Sequence, residues 1–252
     1  MNLKGISIFL LLIFSMCEAQ TTKLNSLSEQ FLEKIKKGEN TEYLQEQLAK
    51  IDLEELANTL KTDEQKIAFW INLYNAYIQV ILKKSPELYE NRNDFFSRNQ
   101  IIIAENEISF DKIEHGIIRK SKSKLGLGYL KKSFPNGFEK LLRVENPDYR
   151  IHFALNCGAK DCPPIAIYSP IDLHHQLAKS TTYFLKSSTT FDTTQNKVFV
   201  SSVFSWFRGD FGGKDGSLKI LKEQDLIPTT RGVAIDYKEY NWTLDLGNFI
   251  EF

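Results

Sequence analysis

The sequence predicts an α+β domain: a helical N-terminal part with a buried central helix, packed on a mixed, mainly antiparallel sheet. Three observations lead there. Apolar residues recur at helical spacing from Ser26 to about Leu60, the segment 63–84 is apolar almost all round, and beyond Asn99 short β-rich runs alternate with short helical patterns. No repeat, low-complexity tract or linker divides residues 20–252, which read as one domain.

Ahead of that domain stands "MNLKGISIFLLLIFSMCEAQ". A lysine near the start, an apolar run from Ile6 to Phe14 and small residues closing on Ala19 form the pattern of a cleavable export signal. Residues 1–19 are therefore expected to be removed, leaving a secreted or periplasmic protein. A lipid anchor on Cys17 fits less well, because that processing favours small residues where Phe14, Ser15 and Met16 stand.

Lys plus Arg number 32 and Asp plus Glu 32, so the formal charge is zero and nothing draws the chain to nucleic acid or anionic lipid. A 42% hydrophobic composition can bury a core without many cross-links. No second apolar segment approaches membrane-spanning length. The expected partner is a small-molecule or peptide ligand of unknown identity.

The elements follow in order. Leu27, Phe31 and Ile35, then Tyr43, Leu44 and Leu48, then Leu53, Leu56 and Leu60 mark amphipathic helices, with Gly38 closing the first and Thr41 capping the second. Thr62 caps the central helix, whose first turn carries Asp63 and Glu64 and whose last carries Lys83 and Lys84, matching the helix dipole. Asn72 and Asn75 interrupt its apolar surface on one face. Buried amides need partners, so they either hydrogen-bond a neighbouring loop or point into an active site.

"QIIIAENEISF" reads as a hairpin and "DKIEHGIIRK" as a helix with His115 at the margin of its packed side. The basic, glycine-bearing stretch 120–132 reads by default as a solvated loop; an anion-binding loop is the weaker alternative, since neither a GxxxxGK[ST] nor a GxGxxG pattern is present, and no cofactor is predicted. "RIHFALN" alternates like a strand that ends at Gly158. Ser169, Pro170 and Asp172 look like a capping box starting a helix that runs to about Ser187. Another hairpin, "TFDTTQNKVFV", precedes the short aromatic helix in "SSVFSWFRGDFGG", a polar helix near 218–223 and a last strand pair around "GVAIDYKEYNWTLDL".

The stretch "RIHFALNCGAKDCPPI" concentrates the chemistry, and four readings of it stand side by side. Cys157 and Cys162 are close enough in sequence for a disulfide, provided a turn brings their Cα atoms within about 7 Å. A zinc site would need two more ligands from His115, His152 and Asp161. Cys157 as an activated nucleophile needs an imidazole base; in an extended strand His152 would lie roughly 16 Å away, which favours His115. Finally, both sulfurs could be small buried hydrophobes.

Together, "AFWINLYNAY", "IEHGIIR", "RIHFALNCGAKDCPPI" and "VFSWFRGDF" resemble, in this order and spacing, the domain of unknown function 547 family, over roughly Leu56 to Phe211. The resemblance maps family motif positions onto Trp70, Asn72, Asn75, Glu114, His115, Arg119, Arg150, His152, Asn156, Cys157, Cys162, Trp206, Phe207 and Asp210. The family motif usually has Ser before its second cysteine, where this chain has Asp161. More loosely, a buried central helix followed by a histidine-bearing strand is similar to papain-like and transglutaminase-like cysteine hydrolases. Those enzymes, however, carry their nucleophile at the start of that helix, which here lacks cysteine.

The function expected from these residues is a thiol-dependent hydrolase or acyl transferase acting on peptide-like amides. Cys157 would be nucleophile, His115 or His152 base, Asn75 or Asn72 orienting amide, and Arg150 a structural or carboxylate-binding cation. The alternative is a non-enzymatic extracytoplasmic binding domain, with the same polar residues in a buried network and the cysteines paired. No resident metal is expected.

Overall fold

The computed structural model describes residues 20–251, so the export signal and Cys17 lie outside the described residues. The α+β class holds. Helices α1 (Lys23–Lys36), α2 (Glu42–Lys50) and α3 (Leu53–Thr59) lead into α4 (Asp63–Lys84), the central helix. Thr62 begins α4 with a capping box, its hydroxyl accepting from Gln65 N while the Gln65 side chain accepts from Thr62 N. Asp63 also accepts from the backbone N–H groups of Glu145 and Asn146, which ties the helix start to a distant loop.

Because α4 is apolar on all sides, other elements enclose it. Its longest contact is with α1, where Phe31 meets Tyr77 edge to face with centroids 5.2 Å apart. The sheets are small and stand to the side. After a 3₁₀ turn (Pro86–Asn91) and α5 (Arg92–Ser97), β1 (Ile101–Ile103) and β2 (Asn106–Ile108) pair antiparallel through a two-residue turn. Ala104 and Glu105 adopt φ of 51° and 59° in that turn, as a type I′ hairpin requires.

The segment carrying His115 is a π-helix, Lys112–Ile118. Its i→i+5 bonds include Arg119 N to Glu114 O at 2.9 Å and Ser121 N to Gly116 O at 2.8 Å. Such wide turns are rare and gather at functional sites.

Three expectations are corrected. "RIHFALN" is not a strand: Tyr149–Phe153 form a 3₁₀ turn capped by Asp148, whose side chain accepts from Arg150 N. The apparent alternation carries no information about faces, since every residue from Ile151 to Asn156 is buried. The following helix, α7 (Leu173–Ser188), begins three residues later than expected because Ser169 makes no capping box. The Gln176 side chain takes Ser169 N and donates to Ile167 O instead.

The third correction concerns the C-terminus. After α6 (Gly137–Leu142) and α7, strands β3 (Thr190–Asp192) and β4 (Lys197–Val200) pair antiparallel, followed by α8 (Val203–Trp206) and α9 (Gly213–Glu223). A single strand, β5 (Ala234–Tyr237), then joins β4 in parallel. Beyond it the chain forms no strand pair. It runs along the cysteine loop, with Lys160 N bonded to Thr243 O and Asp245 N to Gly158 O, both at 2.8 Å.

Two hydrophobic clusters result, one around α4 and one around α7, α9 and β4. The 149–153 turn spans them: Ile151 enters the first and Phe153 the second. His152, between these anchors, is thereby held at the seam. No helix among the described residues is long and apolar enough to cross a membrane.

Candidate functional site

At that seam His152 Nε2 donates to Asp210 Oδ2 at 2.8 Å, and Arg119 Nε donates to the same oxygen at 2.7 Å. Three elements contribute: the 3₁₀ turn, the end of the π-helix and the loop after α8. Arg119 is only 2% exposed, and its guanidinium lies 4.6 Å over the Phe207 ring while His152 stacks on the same ring at 4.0 Å. Burial acts to raise the Asp210 pKa, but the hydrogen bonds from His152 and Arg119 outweigh it and hold the carboxyl well below its usual range. Burial lowers the His152 pKa despite the opposing pull of Asp210, keeping the ring neutral at pH 7. Neutral His152 that donates from Nε2 leaves Nδ1 as its acceptor nitrogen.

Arg119 also donates through Nη1 to His115 Nδ1 at 2.5 Å, so His115 Nε2 carries the proton and faces Asp111 Oδ1 at 3.5 Å. Residues 111, 115 and 119 follow one another at four-residue spacing, so Asp111 and Arg119 flank His115 from the two ends of the π-helix. Asp111 is pushed up by burial, but hydrogen bonds from His115 and Lys124 leave it below the ordinary carboxylate value.

A cleft of about 480 Å³ opens beside this network, lined by Glu114, His115, His152, Cys157, Trp206 and Tyr240 among others. Trp206 stacks on Trp242 at 5.4 Å and meets Tyr240 at 4.8 Å, forming an aromatic wall. Leu125 and Leu127, from the basic loop expected to be merely solvated, form part of the rim. That loop is pinned to the network: Gly209 N donates to Leu127 O at 2.8 Å, and Lys122 Nζ lies 3.6 Å from Asp210 Oδ1.

The two cysteines form a disulfide with Cα atoms 6.1 Å apart. Cys157 is half-buried on the cleft side and Cys162 is buried. In this state Cys157 has no free thiol, which corrects its reading as a standing nucleophile. Its neighbours are also not the expected ones: the Tyr240 hydroxyl lies 3.7 Å from Cys157 Sγ and 3.3 Å from Cys162 Sγ, while the imidazoles are engaged by Asp210 and Arg119. Asp161, the departure from the family motif, accepts from Asn241 N at 2.8 Å and belongs to the C-terminal clamp. Among the described residues no group of three or more His, Cys, Asp or Glu is placed to hold a metal ion.

A family model described as a protein of unknown function, DUF547, matches residues 57–185. The chain belongs to the DUF547 family. No curated protein and no solved structure matches it. The matched span of this DUF547 chain holds α4, the π-helix, the cysteine loop and most of α7, but ends before Asp210 and the aromatic wall.

Other motif residues of the DUF547 chain stand outside the cleft. Asn72 is fully buried and donates to Tyr168 O at 2.8 Å while accepting from Tyr168 N at 2.9 Å. Asn75 donates to Ala154 O at 3.0 Å and accepts from Asn156 N at 2.8 Å. Both amides bond loop backbone, and neither is hydrogen-bonded to an imidazole. Asn156 donates to Pro163 O and accepts from Gly158 N, shaping the cysteine loop. Arg150 pairs with Asp148 at 2.5 Å and reaches His174, serving the fold. Trp70 is a core residue packed edge-on against Phe138.

Sequence reasoning missed Tyr240 and Trp242, which it placed in a strand, and Asp111. The last had a legible signal: an acid four residues before a histidine on a helix puts both on one face.

Proposed function

We propose that this DUF547 domain is an exported ligand-binding module whose cleft takes a peptide-like ligand. The ligand's apolar body would lie on Trp206 and Trp242, and an amine or N–H would meet Glu114. The observation that carries this reading is the pairing of an aromatic wall with an unclaimed carboxylate. Asp111 is met by Lys124 Nζ at 2.8 Å, whereas Glu114 has no lysine or arginine partner among the described residues, and its contact with His115 is to Nδ1 at 3.8 Å. Aromatic walls with a few convergent polar groups are the usual make-up of small-ligand sites. The N-terminal leader pattern supports export, and a disulfide suits an oxidising compartment.

The test is titration with N-acetylated dipeptide amides, read by tryptophan fluorescence. Trp206 and Trp242 report on the cleft, while buried Trp70 stays silent. Saturable binding is expected, strongest for dipeptides carrying lysine. Glu114→Gln weakens those about tenfold, the loss of one charge-assisted bond. A flat response across the panel, or an unaltered lysine dipeptide affinity in Glu114→Gln, overturns the reading.

A second reading, a thiol-dependent hydrolase or acyl transferase on peptide-like amides, is favoured by one observation. His152 and Cys157 line the same cleft, Asp210 bonds the ring through Nε2 at 2.8 Å, and the neutral ring keeps Nδ1 as a proton acceptor. This chemistry requires the reduced protein. Thioester turnover that appears only after dithiothreitol treatment and vanishes in Cys157→Ser would support it.

A further inference from the structure

The ligand cleft leaves unexplained why a disulfide should have one sulfur at its edge and a tyrosine hydroxyl across both. Cys162 Sγ accepts the Cys157 backbone N–H at 3.0 Å and the Tyr240 hydroxyl at 3.3 Å. Each bond is weak while the sulfur is neutral in a disulfide. Both strengthen once that sulfur carries negative charge, since hydrogen bonds to ions are roughly twice as strong as neutral ones. Cys162 is thus surrounded by donors arranged for a thiolate. Cys157, half-buried against the cleft, is the more exposed of the two; Cys162 borders a second cavity but is only 5% exposed.

We infer that the Cys157–Cys162 bond is a reactive disulfide, attacked at Cys157 Sγ by an external dithiol, with Cys162 leaving as a thiolate held by Tyr240 and the Cys157 N–H. In the first step a thiolate of the dithiol bonds to Cys157 Sγ as the Cys157–Cys162 bond breaks, and the electron pair departs on Cys162 Sγ. In the second, the other thiol of the same dithiol displaces Cys157 Sγ. The external dithiol loses two electrons and two protons and becomes a disulfide; the two cysteines take up the electrons, Cys157 takes one proton as a thiol, and the other proton passes to solvent because Cys162 stays a thiolate. In this direction the protein oxidises a dithiol; run in reverse, its two reduced cysteines reduce an external disulfide.

Two further features favour the exchange. The clamp by residues 241–250 holds the loop whether or not the sulfurs are joined: Lys160 N, Asp245 N and Ile165 N are all bonded across it at 2.8 Å. Reduction therefore need not unfold the loop. Tyr240 remains a donor throughout, because burial drives its hydroxyl pKa far upward. The exchange needs no ligand on the aromatic wall and so goes beyond the binding reading. Dipeptide titration of the oxidised protein and redox titration fail independently.

The experiment equilibrates the purified protein with buffers of reduced and oxidised dithiothreitol, then quenches with acid and counts alkylated thiols by mass spectrometry. Reversible reduction with native tryptophan fluorescence is expected. Tyr240→Phe removes one donor to the leaving thiolate and shifts the equilibrium about tenfold toward the disulfide, which is ~30 mV for this two-electron couple. Brief exposure of the wild-type protein to cysteamine, followed by digestion, places the mixed disulfide on Cys157. A bond that reduces only with loss of the fold, a Tyr240→Phe equilibrium equal to wild type, or a mixed disulfide on Cys162 overturns the inference.

Discussion

His152 and Arg119 share a single oxygen of Asp210, at 2.8 Å and 2.7 Å, although they come from segments far apart in the chain. One carboxylate thus joins the π-helix and the 3₁₀ turn to the loop after α8. Replacing Asp210 by Asn leaves Arg119, 2% exposed, without its counter-charge. Breaking a buried pair from one side costs about 3–5 kcal/mol. Urea unfolding of Asp210→Asn is expected to show a loss of that size, and Arg119→Leu added to it is expected to cost much less than it does alone.

The same network sets an acid limit. The folded-state pKa of His152 is depressed, so the unfolded chain binds its proton first as pH falls. Its contribution is complete above the unfolded value near 6.5 and is lost as pH drops toward the folded value, with a slope up to about 1.4 kcal/mol per pH unit. Asp210, also depressed, adds its loss only below about pH 4. Urea midpoints between pH 4.5 and 7.5 are expected to fall with acid in wild type and to flatten in His152→Gln.

Asn75 holds the cysteine loop to the central helix through Ala154 O and Asn156 N. Asn75→Ala strands both groups in a buried place, at about 1–3 kcal/mol each. The variant is expected to lose several kcal/mol in equilibrium unfolding, far more than an exposed amide would.

Gly209 lies against the 124–132 loop so closely that an added Cβ would stand 2.6 Å from Gly128 C and Tyr129 N. Gly128 packs as closely on the other side, where an added Cβ would stand 2.7 Å from Asp210 N, so the loop has little room to adjust. Gly209→Ala is expected to push the loop off Asp210, costing about 1–3 kcal/mol and raising hydrogen exchange at Gly209 N, now bonded to Leu127 O. Unaltered exchange there would show that the loop yields without leaving the network.

Much of the framework was legible before any coordinates. Thr62, the acids of the first turn, the lysines of the last and the apolar residues on nearly every face of 63–84 announce the central helix, because capping and burial act within a few turns of chain. The β1–β2 and β3–β4 hairpins are equally local, carried by short turns between β-rich runs. The "RIHFALN" stretch misled because full burial erases the periodicity that separates strand from turn. The partner of β5 escaped, because its parallel pairing with β4 spans two helices and their loops, which no local pattern encodes.

By itself, then, the sequence determined the α+β class, the buried amides of α4, the family, and the handful of residue types that could do chemistry. Only the tertiary structure decided their partners. It tied His152 to Asp210 rather than to a sulfur, assigned Asn72 and Asn75 to loop backbone, and brought Tyr240 over the cysteines. The reason is physical: a side chain's role inside a protein depends on which group satisfies its hydrogen bonds once water is gone. That choice is made by segments 58 to 96 residues away in the chain.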